Sequence, residues 1–538
     1  MNQQTEKSEK PAFSDLPKAD SQSATGITHS GPGRVVLVGA GPGDPGLITV
    51  AGLKALEQAD VVVFDALANP VLLAKARADA ELIDCGKRAK AHKLTQDQTN
   101  ALLVEKAQAG ALVVRLKGGD PYLFGRGAEE ASYCATQGVG CQVIPGITAG
   151  VAAPAMAGIP VTHRKIASTV TIVTGHEDPT KDDTSIDYAA LAGLIKSGGT
   201  ACFYMGVGRL ESICRELMGH GLASDTPAAL VQWGTLPKQR HVRGTLANIK
   251  QRVDDAGIGS PAIIVVGQVA AIQEPGLDFF TARPLFGQRI VVTRTRQQVS
   301  ELREHLEALG AQVLEAPTIQ IVKPADTAAF DDAVANLADY DALVLTSGNA
   351  VDALAARLAA QGLDSRALAG VYIACIGRAC AERLSESLAI AADFIPQRAI
   401  SESLAEGLLE AADLAGKRVL LPTADIARPA LPERLRAGGA RVDEFAVYQT
   451  ARVDELAPEV AEALQDEAVD WVTFTSSSTA SNLVQLLGPD VTRLSGCRLA
   501  SIGPKTSGTM RELGIAPTIE AATHDIAGLV AALVQASK

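Results

Sequence analysis

The first half of the chain alternates short apolar runs with longer stretches rich in Ala, Leu, Glu and Lys. The apolar runs are bounded by Gly, Pro, Asn or Asp, a pattern typical of buried strands between helices in α/β proteins. It predicts strands at 35–38, 61–64, 112–116, 142–144, 169–173, 201–205, 228–232 and 262–266. The alternation breaks at 274–288, where two prolines and two glycines predict a linker between domains.

The second half contains an internal repeat. Residues 289–294 (RIVVTR) recur as 418–423 (RVLLPT), and 343–351 (LVLTSGNAV) recur as 472–480 (VTFTSSSTA), both at an offset of 129. Residues 375–384 (CIGRACAERL) recur as 501–510 (SIGPKTSGTM) at an offset of 126. A repeat of this length is a duplicated domain. Because ligands bind at the carboxyl ends of parallel strands, the matching Thr-Ser and Ile-Gly segments predict two lobes facing one cleft.

Composition and charge narrow the function classes. The chain has 538 residues, enough for two to four compact units, and a formal charge of −12, which disfavours nucleic acid and anionic membrane as partners. Its eight cysteines include no CxxC pair, so we expect a reducing, cytoplasmic setting and no metal site. Residues 1–33 are polar and predict a disordered tail without targeting features, and no apolar run approaches the roughly 18 residues that span a bilayer.

Glycine-rich loops follow several of the predicted strands. The most informative are 36–46 (VLVGAGPGDPG), 115–127 (RLKGGDPYLFGRG) and 143–150 (VIPGITAG), which let a compact ligand approach the main chain. A dinucleotide is one such ligand, with Asp65 placed to bind a ribose. However, Pro42 and Pro45 lack the N–H groups that would hold a phosphate. The loop therefore favours a ligand without a phosphate.

These loops, with 61–67 (VVVFDAL), 85–93 (CGKRAKAHK), 158–165 (GIPVTHRK), 173–177 (VTGHE) and 204–209 (YMGVGR), resemble the tetrapyrrole methylases. The similarity covers about 34–280 and is strongest to S-adenosylmethionine-dependent uroporphyrinogen-III C-methyltransferases. It implies a two-subdomain α/β methylase fold and S-adenosylmethionine as methyl donor, with no metal. The positions that match the family's donor site are Pro42, Gly118, Gly119, Asp120, Leu123, Thr148, Ala149, Met205 and Gly234. Met205 is alternatively a core side chain.

The same resemblance implies roles in catalysis and substrate binding. Asp65 and Lys87 match the family's proton acceptor and donor, although Asp65 could instead anchor pyrrole N–H groups and Lys87 could pair with a substrate carboxylate. Uroporphyrinogen carries eight carboxylates, and Arg and Lys side chains bind carboxylates through charge-assisted hydrogen bonds. The candidates for that contact are Arg88, Arg126, His163 and Arg164.

The second half resembles uroporphyrinogen-III synthase through 346–351 (TSGNAV), 475–478 (TSSS), 502–506 (IGPKT) and 444–450 (EFAVYQT). The resemblance implies two flavodoxin-like lobes with parallel sheets and no cofactor. We expect a linker at 281–287 and a synthase domain at 288–538, with lobes at 288–322 plus 453–538 and at 325–450. Tyr448 matches the tyrosine that is implicated in catalysis in this family. Alternatively, it packs between the lobes. The expected substrate-binding residues are Arg294, Ser347, Asn349, Ser476, Ser477, Lys505 and Thr506.

Both halves imply consecutive steps of tetrapyrrole biosynthesis. The synthase would convert hydroxymethylbilane into uroporphyrinogen III, and the methylase would convert that product into precorrin-2. An alternative is a methylase of a later corrinoid precursor fused to a two-lobe tetrapyrrole-binding module. Methylase relatives also imply a homodimer through 34–280.

Overall fold

The computed structural model describes residues 33–86, 94–175, 185–293, 296–322, 324–425 and 429–538. The chain divides into two compact units. Of the described residues, the larger contains 33–317 together with 456–538, and the smaller contains 318–455.

The first sheet of the larger unit is parallel throughout, with the order β3-β2-β4-β1-β5. Its strands are β1 (Arg34–Gly39), β2 (Val61–Phe64), β3 (Glu81–Asp84), β4 (Leu112–Lys117) and β5 (Gly140–Ile144). The helices of this part are α1 (Val50–Gln58), α2 (Pro70–Leu73), α3 (Gln96–Gln108), α4 (Gly127–Thr136) and α5 (Ala149–Met156). Because every strand is parallel, the glycine loops after β1 and β4 and the loop after β5 meet at one edge.

The second sheet of this unit is mixed and has the order β6-β7-β10-β8-β9. Its strands are β6 (Thr169–Thr174), β7 (Gly199–Tyr204), β8 (Pro227–Gln232), β9 (Arg240–Thr245) and β10 (Ala262–Val266). Three helices accompany them, namely α6 (Tyr188–Lys196), α7 (Leu210–Gly219) and α8 (Ile249–Asp255). The eight strands predicted from apolar runs are confirmed, while β3 and β9 were missed because both are polar edge strands.

In the described residues of the second half, ten further strands are present. They are β11 (Arg289–Val292), β12 (Gln312–Glu315), β13 (Ile319–Val322), β14 (Ala342–Leu345), β15 (Tyr372–Cys375), β16 (Arg418–Ala424), β17 (Arg441–Arg452), β18 (Trp471–Phe474), β19 (Arg498–Ser501) and β20 (Ile519–Glu520). They form two sheets, β12-β11-β18-β19-β20 in the larger unit and β13-β17-β16-β14-β15 in the smaller. All pairings within these sheets are parallel except that of β13 with β17.

The helices of the second half flank these two sheets. Those of the smaller unit are α10 (Ala328–Ala335), α11 (Gly348–Ala360), α12 (Arg378–Leu388), α13 (Ser401–Ala411) and α14 (Ala430–Ala437). Those of the larger unit are α9 (Arg296–Ala308), α15 (Pro458–Gln465), α16 (Ser477–Leu487), α17 (Pro504–Glu512) and α18 (Ile526–Ala536). Within the described ranges, no helix has the length and apolarity needed to cross a membrane.

The strand orders explain the internal repeat. The repeated segments form three pairs of strands, β11 and β16, β14 and β18, and β15 and β19. In one sheet the neighbouring strands run β11-β18-β19, and in the other the equivalent strands run β16-β14-β15. Each sheet therefore combines the first strands of one copy with later strands of the other, as expected for lobes that are not single repeats.

One boundary of the predicted lobes was wrong. Residues 319–322 were assigned to the first lobe, but β13 pairs antiparallel with β17, with Ile319 opposite Arg452, and so belongs to the smaller unit. The chain enters the smaller unit at Thr318 and leaves it after Glu455. The sequence pattern of β13 is apolar enough for either sheet, and only its long-range pairing decides between them.

Candidate active sites

Three loops of the first sheet pack main chain against main chain. The N–H of Gly119 donates to the carbonyl of Gly41 at 2.7 Å, and the N–H of Gly41 donates back at 3.2 Å. A Cβ on Gly146 would lie 2.2 Å from the carbonyl oxygen of Gly119, and one on Gly39 would lie 2.5 Å from Gly146. Only glycine allows this approach, so these residues bring the three loops into one surface.

Asp120 joins two of these loops. One carboxylate oxygen accepts the N–H of Tyr122 at 2.8 Å, and the other accepts the N–H of Gly146 at 3.0 Å. Leu123 lies in the same turn, where its N–H donates to the Asp120 carbonyl at 3.3 Å. Each oxygen keeps a lone pair that can accept a hydrogen bond from a ligand. Asp120 also has a structural role that the sequence did not indicate.

Gly119 leaves space for a ligand at this edge. Its φ of +68° lies in the left-handed region, and a Cβ built there meets no heavy atom within 4 Å. Gly118 is different, because its Cβ would lie 2.9 Å from the Leu67 Cβ. The open direction at Gly119 is what a ligand lying against the main chain requires.

Tyr204, at the end of β7, connects this edge to the second sheet. Its hydroxyl bonds the Thr148 hydroxyl and accepts the N–H of Gly150 at the start of α5. Its ring packs edge to face against Phe124, with 5.3 Å between centroids. Burial raises the pKa of the Tyr204 phenol, which therefore stays protonated at neutral pH. Tyr204 was missed as a functional candidate, although it directly precedes Met205.

Met205 and Gly234 lie in loops of the second sheet. Met205 is 52% exposed with φ +53°, so it is not a core side chain. A Cβ on Gly234 would lie 2.2 Å from the Ala153 Cβ, which packs this loop against α5. The adjacent Thr235 hydroxyl accepts the N–H of Asp44 at 3.0 Å. These contacts connect the loops that carry Pro42, Thr148, Ala149, Met205 and Gly234.

Asp65 follows β2 at the same edge and belongs to a cluster of charged side chains. Arg115 Nη2 donates to Asp65 Oδ1 at 2.5 Å, and Arg115 Nε donates to Glu130 Oε1 at 3.2 Å. Lys117 Nζ lies 2.9 Å from the same Glu130 oxygen. Burial acts to lower the pKa of Arg115, but the carboxylates of Asp65 and Glu130 outweigh it and raise that pKa. Asp65 is therefore held beside permanent positive charge.

Cys85 contacts Asp65 from the end of β3. Its Sγ lies 3.7 Å from Asp65 Oδ1 and 3.1 Å from the Phe64 carbonyl oxygen. Burial raises the pKa of this thiol to about 11, so Cys85 is neutral at physiological pH and is not an activated nucleophile. The other predicted residues on this side, Lys87 and Arg88, lie outside the described residues.

The remaining predicted methylase residues make local contacts. Arg126 has φ +57°, stands at the N-cap of α4 and pairs with Glu129 at 2.7 Å while 55% of its side chain is exposed. The Nδ1 atom of His163 lies 2.9 Å from the Arg164 carbonyl oxygen. His163 is half-buried and Arg164 is exposed, and their described contacts place neither of them beside Asp65.

In the smaller unit, Ser347 and Tyr448 are brought together. Their hydroxyl oxygens lie 3.1 Å apart, and Ser347 Oγ also accepts the N–H of Ala350 as the N-cap of α11. Asn349, in the first turn of α11, has a buried Oδ1 without a hydrogen-bond partner among the described residues. These three predicted residues therefore lie at the carboxyl end of β14.

The equivalent place in the larger unit follows β18. Ser476 is the N-cap of α16, and Ser477 Oγ lies 3.3 Å from the Lys505 carbonyl and 2.9 Å from the Thr509 hydroxyl. Thr506 is only 4% exposed, so its side chain is much less accessible to a substrate than the sequence suggested. Arg294 lies outside the described residues.

The cysteines and the metal-ligating side chains bear on which chemistry the chain can perform. All eight cysteines are unpaired thiols. Over the described ranges, no group of three or more His, Cys, Asp or Glu side chains could hold a metal ion. Sequence analysis also missed Arg115, Lys117 and Glu130. The only signal was that the two cations alternate along β4, a strand that is otherwise apolar.

Comparison with known proteins supplies the family context. Residues 34–250 match the family described as Tetrapyrrole (Corrin/Porphyrin) Methylases, and residues 300–531 match the family described as Uroporphyrinogen-III synthase HemD. The chain is 36% identical to the "Porphyrin biosynthesis protein HemD" of Ruminiclostridium josui, over 84% of this chain and 88% of that protein.

Two relatives match a smaller share of the chain. The chain is 41% identical to a uroporphyrinogen-III C-methyltransferase of Bacillus subtilis (strain 168), over 62% of this chain and 68% of that protein. It is 47% identical to an S-adenosyl-L-methionine-dependent uroporphyrinogen III methyltransferase of Methanosarcina barkeri (strain Fusaro / DSM 804), over 46% of this chain and 98% of that protein.

Proposed function

Because the chain belongs to the family of porphyrin biosynthesis proteins that join a tetrapyrrole methylase to a uroporphyrinogen-III synthase, we propose that it catalyses two consecutive reactions. Its synthase half closes hydroxymethylbilane to uroporphyrinogen III and inverts the last ring. Its methylase half then methylates that product twice to give precorrin-2. The observation that carries the proposal is the open backbone surface at Gly119, adjacent in the sheet to the partly exposed carboxylate of Asp65.

The glycine loops fit S-adenosylmethionine as the methyl donor. This group supplies an electrophilic methyl on a sulfonium that is already a good leaving group. The chain contributes a surface without a side chain at Gly119, polar main-chain groups of the three loops, and the exposed Met205 as an apolar contact. Tyr204 fixes Thr148 and Gly150, so the loops are ordered before the donor binds.

Asp65 and Lys87 are the proposed catalytic residues of methyl transfer. Methylation of a pyrrole carbon requires that a proton leave the ring system, and a carboxylate near the pyrrole nitrogens can accept that proton or the N–H hydrogen bond. Asp65 has a 31% exposed side chain, so substrate can reach it. Lys87 is proposed either to transfer a proton or to bind a carboxylate. Arg88, Arg126, His163 and Arg164 are the proposed carboxylate-binding residues.

Tyr448 is the proposed catalytic residue of ring closure. Departure of the terminal hydroxyl of hydroxymethylbilane leaves a reactive azafulvene, so the enzyme mainly has to assist departure and fix geometry. A phenol can donate to the departing hydroxyl. Ser347 accepts from Ala350 while it bonds Tyr448, and this contact restrains the phenol. Asn349, Ser476, Ser477 and Lys505 are proposed to bind substrate carboxylates near helix N-termini, together with Arg294. The buried Thr506 is not included.

Two assays test the halves separately in the full-length protein. With uroporphyrinogen III and methyl-labelled S-adenosylmethionine, we expect two labelled methyl groups in the product. With hydroxymethylbilane alone, we expect the inverted isomer, whereas spontaneous closure gives the uninverted one. If later corrinoid precursors are methylated and uroporphyrinogen III is not, the alternative methylase assignment is correct. If hydroxymethylbilane binds without turnover, the second half is a binding module.

A homodimer through 34–280 and a cytoplasmic location complete the proposal. The dimer derives from the resemblance to the methylases, and the cytoplasmic location derives from the unpaired cysteines. Sedimentation of the full chain and of a fragment lacking 281–538 would test the dimer.

A further inference from the structure

The buried charges around β4 form an arrangement that folding alone does not favour. The side chains of Arg115, Lys117 and Glu130 are 5%, 4% and 0% exposed, respectively. Burying charges is costly, and apolar residues of similar volume often replace buried ion pairs without loss of stability. Asp65 is the member of this cluster that reaches solvent, with a 31% exposed side chain. The cluster is therefore buried except at Asp65, where it meets solvent.

The geometry of Arg115 is that of a bridge between two carboxylates. Its Nε donates to Glu130 Oε1 at 3.2 Å, and its Nη2 donates to Asp65 Oδ1 at 2.5 Å. A guanidinium offers donors in a rigid fork, whereas an ammonium is a point charge. A lysine at this position would keep the positive charge but would not hold both carboxylates in a fixed relative orientation.

Glu130 is itself fixed from several directions. Its Oε1 accepts from Arg115, from Lys117 Nζ at 2.9 Å and from Gln96 Nε2 at 3.1 Å. This buried carboxylate thereby restrains the guanidinium, which in turn restrains Asp65. The second oxygen of Asp65, Oδ2, lies 4.0 Å from Lys117 Nζ, beyond hydrogen-bond distance.

We propose, on the basis of the role proposed above for Asp65, that Arg115 and Glu130 are positioning residues for methyl transfer. Arg115 occupies Oδ1 of Asp65, and Glu130 holds the guanidinium of Arg115 in place. This arrangement leaves Oδ2 of Asp65 for the pyrrole N–H or its proton. Neither residue contacts substrate. Both act through Asp65.

The test uses the full-length protein and steady-state methylation of uroporphyrinogen III. Arg115→Lys keeps the charge, and we expect it to lower kcat at least tenfold because Asp65 loses its fixed orientation. The KM values for both substrates should stay within twofold of wild type. The matched control is Arg77→Lys, since Arg77 pairs with Asp60 at 2.7 Å at the opposite end of β2. This control should retain wild-type kcat.

A double-mutant cycle separates positioning from general structural support. If Arg115 acts through Asp65, adding Arg115→Lys to Asp65→Asn should cause no further loss of kcat, whereas a structural role would give additive losses. Additive losses, or wild-type kcat for Arg115→Lys, would overturn the proposal. Unchanged kcat for Asp65→Asn alone would instead refute the catalytic role of Asp65.

A second variant covers the case in which Arg115→Lys does not fold. Glu130→Gln preserves the shape of the side chain but weakens the anchor of the guanidinium, and should show the same pattern of lowered kcat with unchanged KM. The same cycle with Asp65→Asn applies. A Glu130→Gln protein with wild-type kcat would contradict the inference.

Discussion

The hydroxyl groups of Tyr448 and Ser347, 101 residues apart in sequence, share a hydrogen bond of 3.1 Å. The bond joins a residue of β17 to the N-cap of α11, and Ser347 is further fixed by the N–H of Ala350. Tyr448 therefore has its phenol at the carboxyl edge of the sheet, where a substrate of the smaller unit would lie.

Tyr448→Phe should slow formation of uroporphyrinogen III by about one to two decades, because one hydrogen bond to the departing hydroxyl is worth roughly 1–3 kcal/mol. Spontaneous closure then competes, so the share of the uninverted isomer should rise. Chromatographic separation of the isomers measures both effects. Tyr340→Phe is the matched control, since Tyr340 donates to Asp443 at 2.9 Å near the amino ends of the same strands. Equal isomer purity in both variants would make Tyr448 a packing residue.

Tyr204→Phe should weaken S-adenosylmethionine binding by about one to two decades. The variant removes the acceptor of the Gly150 N–H and the partner of the Thr148 hydroxyl, so the loop before α5 loses its fixed position. Calorimetric titration with S-adenosylmethionine measures the change. Tyr133→Phe on α4 serves as control and should bind normally. Wild-type affinity in Tyr204→Phe would show that these loops are ordered without the phenol.

Gly119→Ala tests whether the open space at Gly119 is the donor surface. Gly119 and Gly138 have φ values of +68° and +70°, and a Cβ on either meets no heavy atom within 4 Å. Both alanine variants should therefore lose about 1–2 kcal/mol of folding stability from the same backbone strain. Only Gly119→Ala should also lose at least tenfold in donor affinity. The same affinity in the two variants would remove Gly119 from the donor site.

Lys87→Met distinguishes the two roles proposed for Lys87. A residue that transfers a proton or stabilises charge in the transition state lowers kcat when removed, whereas a carboxylate-binding lysine mainly raises the KM of uroporphyrinogen III. Lys106→Met is the control, because Lys106 forms an ion pair with Glu81 at 2.6 Å on the outside of the sheet. Wild-type kinetics for Lys87→Met would exclude both roles.

The sequence predicted those parts of the fold in which local pattern and burial agree. β1 and β4 are buried over nearly their whole length and consist mainly of Val and Leu, so their pattern predicts strands clearly. β9 reads RHVRGT and lies at a sheet edge, where no apolar run is required. The pairing of β13 with β17 joins residues more than a hundred positions apart, and nothing near β13 in sequence encodes it.

For the candidate sites, as for the fold, the sequence predicted the features that leave a local pattern and missed those that depend on long-range contacts. Glycine motifs located the loops because main-chain contact leaves a compositional signal, as at Gly119 and Gly146. Arg115 lies within the glycine-rich segment 115–127, but its ion pair with Glu130 joins β4 to α4 and has no local signature in the sequence. Tyr204 was missed for the same reason, since Thr148 is 56 residues away.

Incubation of the purified full-length protein with hydroxymethylbilane and S-adenosylmethionine tests whether one chain performs both reactions in sequence. Products are resolved by mass and by isomer. We expect a product of the inverted isomer series that carries two added methyl groups. A cyclised product without methyl groups, or hydroxymethylbilane that closes no faster than it does without protein, would contradict it.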